Sequence, residues 1–276
     1  MDSFWTSNGL PSGSHFIVAF YFASAFFAAR FLLDRLVFRR LAIWLVGGKI
    51  KFTKEINAKI EKCTESMWKL LYYGIIEYFV LATNYEETWF FDVKSYFTGW
   101  PNQELKVSLK LIYMCQCGFY IYSIAALSLW ETRRKDFPVM MSHHVITVVL
   151  ISSSYMTSFF RIGSVILALH DASDVFMEAA KVFKYSGNEI GASLFFGLFA
   201  LSWFILRLII YPFWVIRSSS YYLCEVLKSS DWPLYYLFNT MLLALLTFHM
   251  YWWILICSMI VRQLRNRGQV GEDIRS

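Results

Sequence analysis

The chain has 276 residues, 57% hydrophobic and 20% aromatic against only 17% charged, with a formal net charge of +6. It is far too apolar for an ordinary soluble domain, and 13 Gly with 5 Pro are too few for a disordered one. The positive residues gather at the ends of apolar runs and in one connection, so they report membrane topology and not nucleic-acid binding.

Apolar runs of about 17 to 25 residues mark candidate membrane spans. In chain order, seven are predicted: residues 15–33, 67–83, 107–130, 137–159, 161–183, 190–216 and 234–261. The runs are continuous and not alternating, which favours helices over barrel strands, since each helix satisfies its own backbone groups in lipid. The expected fold class is an all-α polytopic membrane protein. No basic region precedes the first run and no small-residue cleavage pattern follows it, so it reads as a retained span. No self-similarity at 20 to 50 residues is visible, which implies one bundle. The cysteines at 63, 115, 117, 224 and 257 lack disulfide-framework or metal-site spacing and read as buried thiols.

Topology follows from Lys and Arg in the connections. Residues 34–66 hold eight: Arg35, Arg39, Arg40, Lys49, Lys51, Lys54, Lys59 and Lys62. Arg133, Arg134, Lys135, Lys181, Lys184, Arg262, Arg265, Arg267 and Arg275 share that side, against Lys94, Lys106, Arg161, Arg217 and Lys228 opposite. The bias of 17 to 5 predicts a lumenal or external N-terminus and a cytosolic C-terminus. Within the first connection, residues 36–48 are apolar but too short to span. The Lys-rich stretch after them reads either as an interfacial amphipathic helix or as an ordinary positive-inside loop.

Ionisable residues inside spans are functional-site hypotheses, because removing charge from water is costly. The fourth span carries His143 and His144, and the fifth carries Asp171, Asp174 and Glu178 along one helix face. Helical rise puts the histidines roughly 9 to 11 Å from the cytosolic face, with Asp174 and Asp171 roughly 14 and 18 Å from it. The two sets can meet, and a polar cavity open to the cytosol would relieve the cost of burying them. Adjacent helix positions diverge by about 100°, which suggests one reacting imidazole and one supporting imidazole, with an aspartate fixing the tautomer. Arg207 in the sixth span reads as snorkelling or paired, with Glu77 as a candidate partner and substrate contact as the minor alternative. Arg133, Arg134 and Lys135 serve topology or bind a phosphate-rich ligand at the cavity mouth. Five histidines are too few for a di-iron hydroxylase site. A mononuclear metal site, packing histidines and a proton-coupled transporter are the other readings.

Lys135-Asp-Phe-x-x-Met-x-x-His143-His144, followed by Leu169-His170-Asp171-Ala-Ser-Asp174-Val, resembles the motif of the longevity-assurance family, the ceramide synthases of the TLC superfamily. Lys184-Tyr-Ser-Gly and the segment Ser202 to Trp214 are similar to its plant members. The resemblance implies a multi-pass endoplasmic reticulum enzyme that transfers a fatty acyl group from acyl-CoA to the amine of a sphingoid base, sphinganine or phytosphingosine. It implies His143 and His144 as the catalytic histidines and Asp171 and Asp174 as the essential acids, with an acyl-histidine intermediate on His143. It also implies a core of six helices in residues 67–261, after an N-terminal helix and basic loop in residues 1–66 and before a basic tail in residues 262–276. The acyl chain would occupy the apolar bundle and the charged CoA a basic cytosolic mouth, where Arg133, Arg134 and Arg207 are candidate substrate contacts. The connection at 217–233 would influence acyl-chain choice. No cofactor or metal is expected, because the thioester of acyl-CoA, a co-substrate, is already activated. The partners are acyl-CoA, the sphingoid base and the bilayer, with homo- or heterodimerisation left open. The rival within the superfamily is a non-catalytic lipid-sensing or translocon-associated protein.

Overall fold

The computed structural model describes residues 4–5, 10–47, 53–227, 232–265 and 271. Lys49, Lys51, Lys228, Arg267 and Arg275, counted above for topology, lie outside the described residues. Seven long helices are described: α1 (Gly13–Val46), α2 (Lys54–Asn84), α3 (Val107–Leu129), α4 (Phe137–Met156), α5 (Phe160–Tyr185), α6 (Glu189–Val226) and α7 (Trp232–Arg265). One falls at each predicted span, and the chain is an all-α polytopic membrane protein.

Three boundaries differ from the sequence expectation, the first being that α2 starts at Lys54 and not at 67, so the end of the Lys-rich stretch is its first turns. Residues 36–46 are not a loop segment but continue α1, which passes through a π turn at Asp34–Phe38 and runs on to Val46. No Gly or Pro interrupts the chain between His15 and Gly47, so nothing stops helix propagation where hydropathy falls. At 1.5 Å per residue this helix is about 50 Å long, well beyond a hydrocarbon core of about 30 Å. Its extension is tied to α2 by Arg30, whose Nη1 donates to the Thr64 carbonyl at 2.8 Å and lies 3.6 Å from Asp34 Oδ1. Likewise α6 does not end at 216 but continues to Val226, so most of the expected connection at 217–233 is helical.

Five helices, α1, α3, α4, α6 and α7, are long and apolar enough to cross a membrane. The other two, α2 and α5, carry the charges that made their spans conspicuous in the sequence. Helix α2 packs one face along α5 while exposing Leu71, Ile75, Tyr78 and Phe79 on the other, and α5 packs along α6. Hence α5 buries His170, Asp171, Ser173 and Glu178 among apolar neighbours. On the opposite flank α1 lies so close to α3 that a Cβ on Gly118 would stand 2.5 Å from the Ala19 carbonyl oxygen. Residues 85–106 close the end of the bundle between α4 and α5. Trp100 Nε1 donates to the Thr157 carbonyl at 2.7 Å, and Arg161 Nη1 donates to the Ser95 carbonyl at 3.0 Å.

Helix α6 has its own irregularity. Asn188 caps its start, accepting from the Gly191 N–H at 2.9 Å, and Trp203–Ile216 then winds as a π-helix containing Pro212. Proline has no N–H and its ring crowds the preceding turn, which the wider winding accommodates. This stretch carries Arg207 into the bundle.

Candidate active site

A cavity of about 700 Å³ enters the bundle between the start of α2, the end of α3, the start of α4 and the end of α5. His143, His144, Asp174 and Arg207 line its inner part with Tyr73, Tyr120, Trp203 and Trp252. The predicted meeting of the two charged spans therefore occurs, within one cavity that opens on the predicted cytosolic side.

Each side chain is placed by its helix. Pro138 sits in the first turn of α4, where its missing N–H costs nothing. Just before it, Asp136 Oδ2 accepts from Trp252 Nε1 of α7 at 2.9 Å. His143 and His144 follow about two turns into α4, and their rings stand 5.7 Å apart between centroids at 52°. The edge of the Trp252 ring meets His143 at 5.2 Å, and Tyr120 lies 5.5 Å from His144. Nδ1 of each histidine is buried without a hydrogen-bond partner. Two imidazoles that line a cavity, each with one nitrogen unengaged, are suited to accept a proton or an acyl group.

The acids do not do what the sequence suggested. No aspartate orients either histidine: Asp174 Oδ1 pairs with Arg207 Nη2 at 2.9 Å, and Asp171 Oδ2 accepts from Gln116 Nε2. Three residues along a helix turn the side chain by about 300°, so the two carboxylates diverge by about 60°. Asp174 reaches the cavity, whereas Asp171 faces α3 behind its wall, where Gln116 Oε1 also accepts from Tyr72 O–H at 3.0 Å. The suggested Glu77–Arg207 pair is absent. Arg207 is taken by Asp174, by Ser173 Oγ at 2.9 Å from Nε, and by the His170 carbonyl at 2.7 Å from Nη2, over the Trp203 ring at 4.0 Å. A guanidinium offers a forked set of donors that a buried carboxylate can use directly, which a neutral imidazole cannot match.

The mouth also departs from expectation. The cavity wall carries seven bases among the described residues, Lys59, Lys62, Lys69, Arg134, Lys181, Lys184 and Arg207, and seven acids, Glu55, Glu65, Glu131, Asp136, Asp174, Glu178 and Glu189. It is charge-balanced, not basic: Lys59, Lys69, Arg134, Lys181, Lys184 and Arg207 each stand within 3.6 Å of a carboxylate. Lys69 Nζ bridges Glu65 at 3.1 Å and Glu131 at 2.8 Å, and Arg134 Nη2 stands 3.6 Å from Glu65. Burial alone would push the Glu65 carboxyl up, but Lys69 and then Arg134 outweigh it and hold the group down at about 2. Arg134 thus lines the cavity, while Arg133 is exposed over the Phe137 ring at 4.7 Å and lies off the lining.

Several residues of this region were not singled out from sequence. Gln116, Tyr120 and His249 lie in apolar runs where a single polar or aromatic side chain is ordinarily packing, while Trp203 and Trp252, which read in the sequence as interfacial-belt or lipid-facing residues, are buried at the cavity. His170 stands inside the recognised motif without a role of its own. Only the spacing of His249 and Trp252, three apart on one face of α7, offered a signal.

These features define an all-α polytopic protein with a polar, histidine-bearing cavity enclosed by apolar helices. The TLC domain family (TRAM, LAG1, CLN8) matches residues 62–258, and the chain belongs to it. It is 62% identical to "Ceramide synthase LOH2" of Arabidopsis thaliana, over 95% of this chain and 91% of that protein. It is 58% identical to "ASC1-like protein 3" of Oryza sativa subsp. japonica, over 97% and 96% respectively. With "Ceramide synthase 5" of Homo sapiens it shares 32% identity, over 79% of this chain and 54% of that protein.

Proposed function

We propose that the chain is a ceramide synthase, a sphingosine N-acyltransferase that moves a fatty acyl group from acyl-CoA to the amine of sphinganine or phytosphingosine. The observation that carries the reading is the pair of histidines that line a cavity inside an apolar bundle, each with a buried Nδ1 left unengaged, in a chain 62% identical to a named ceramide synthase. A nitrogen of His143 attacks the thioester carbonyl, the C–S bond breaks, and the CoA thiolate leaves with the imidazole proton. The sphingoid ammonium gives a proton to His144, the free amine attacks the acyl-imidazole, and the C–N bond to His143 breaks as that ring regains a proton. Asp174 and Arg207 hold a fixed dipole beside the reacting carbonyl, while Asp171 acts from behind the wall through Gln116. Acyl-CoA is a co-substrate, and neither metal nor cofactor enters the scheme.

The six helices α2 to α7, residues 54–265, form the catalytic unit, with α1 as an N-terminal helix before them and a basic tail after them. Arg134 meets the CoA phosphates at the mouth, with Arg133 outside it. The charge bias of 17 to 5 supports a lumenal N-terminus and a cytosolic C-terminus in the endoplasmic reticulum membrane. The test is ceramide formation, read by mass spectrometry, in microsomes from cells lacking their own ceramide synthases and given sphinganine with a panel of acyl-CoAs. The parent is expected to make ceramide, and His143→Ala and His144→Ala to accumulate normally but lose at least about a hundredfold in rate. A correctly inserted parent that makes none with any acyl-CoA would exclude the enzyme and favour the lipid-sensing or translocon-associated class.

A further inference from the structure

Apart from His15, which bonds Tyr155 from the start of α1, the acyl-transfer scheme leaves two buried imidazoles unused. His170 on α5 and His249 on α7 meet Nε2 to Nε2 at 2.9 Å, with Tyr211 packed against both rings. His170 Nδ1 lies 2.6 Å from the Ile166 carbonyl. A carbonyl only accepts, so the His170 proton is on Nδ1. In the neutral ring Nε2 is then an acceptor, and the Nε2–Nε2 bond forms when His249 carries its proton on Nε2, in competition with the Arg207 backbone that also lies against that ring. The bond is directional, from α7 to α5.

Three residues further along α7 is Trp252, on the same face. Its Nε1 holds Asp136 at the start of α4, and its ring edge rests on His143. One helix therefore grips both sides of the site: Trp252 holds the helix that carries His143, and His249 holds the turn of α5 that carries Asp174. On that turn the His170 carbonyl and Ser173 Oγ also fix Arg207. His143 is 6.5 Å from His249 and 6.3 Å from His170 between ring centroids, with no hydrogen bond joining them. His249 lies outside the cavity lining.

The geometry points to His249 as a positioning residue. Through its Nε2–H bond to His170 it sets the separation between His143 on α4 and the Asp174–Arg207 pair. The inference rests on the ceramide synthase reading for its chemistry and on α7 alone for its geometry.

The test uses the purified full chain in lipid nanodiscs, with sphinganine and acyl-CoA varied independently, and the variants His249→Ala, His249→Gln, His170→Ala and the double His170→Ala/His249→Ala. Misplacing catalytic groups by about 1 Å costs up to about a hundredfold, so His249→Ala should lower kcat by about ten- to a hundredfold with both KM values changed less than about twofold. Glutamine donates an amide N–H from nearly the same place without titrating. His249→Gln should therefore recover most of kcat and keep the parental pH–rate profile. The double variant should be no slower than His170→Ala. Loss of activity in His249→Gln equal to that of the alanine variant, or loss of one limb of its pH profile, would overturn positioning in favour of proton transfer. Parental turnover in His249→Ala would overturn it outright.

Should His249→Ala fail to accumulate, the glutamine variant decides alone, since it is either active or not. Should the parent make no ceramide, the acyltransferase reading falls, and the grip itself is decided without turnover. Histidine-selective 15N NMR should then show neutral rings protonated at Nδ1 in His170 and at Nε2 in His249. The same tautomer on both rings would exclude the bond.

Discussion

Arg207→Met is the sharpest perturbation of the site. Arg207 is 3% exposed and stands 2.9 Å from Asp174. Removing it leaves a buried carboxylate without its cation, which costs about 3–5 kcal/mol. The other two acceptors lose less, because Ser173 Oγ still donates to the His170 carbonyl at 3.1 Å, so about 1 kcal/mol is assigned to them together. Loss of the cation over Trp203 adds roughly 1 kcal/mol. The sum is about 5–7 kcal/mol, which at about 2–4 °C per kcal/mol lowers the melting temperature by roughly 10–25 °C. Asp174→Asn leaves the cation with one neutral acceptor in place of a charged one and should cost about 2–4 kcal/mol. In the double variant neither charge is left alone, and its loss should fall short of the sum of the singles by about 2–3 kcal/mol. The assay is reversible denaturation in one detergent, with all four proteins measured side by side. Additive losses within about 0.5 kcal/mol would refute the pairing and with it the account of how Arg207 is placed.

Glu65 gives a pH dependence at the cavity mouth. Its carboxyl is held at about 2 in the fold against an ordinary 4.5, so its contribution to stability is present above pH 4.5 and is lost as pH falls toward 2. Melting temperature measured from pH 6 to pH 3 should fall in the parent and fall less steeply in Glu65→Gln; parallel curves would dissociate Glu65 from the acid lability. Gly118→Val should separate α1 from α3, since its new Cβ meets backbone at 2.5 Å and cannot be accommodated by a rotamer change. A loss of about 1–3 kcal/mol is expected, with Gly118→Ala intermediate, and a neutral valine variant would show that α1 is not seated there.

The spans were legible because hydropathy registers every run that must leave water, and the two histidines and aspartates stood out because their neighbours are apolar. Helix ends were not legible from the same signal. Hydropathy drops at Asp34 and again at Arg217, yet neither residue stops a helix, and α1 and α6 continue until glycine or the chain's next turn ends them. Partner choice was the other gap. Glu77 was the partner the sequence offered for Arg207, and only the packing of α5 against α6 brings Asp174 to it, 33 positions earlier in the chain. Seventy-nine positions separate His170 from His249, and no local pattern couples them.

The balance of charge at the cavity mouth changes how a polyanion is admitted. A surplus of lysines would draw such a molecule from a distance, with an association rate that falls steeply as salt is added. Here Lys69 is already shared between Glu65 and Glu131, and Arg134 faces Glu65 as well. To gain Lys69 or Arg134 an arriving phosphate has to compete with a carboxylate, and a displaced acid must find water or another base. The doorway selects by exchange at close range, which rewards a ligand able to bridge several cations at once and leaves a single phosphate or a bare carboxylate with little to gain.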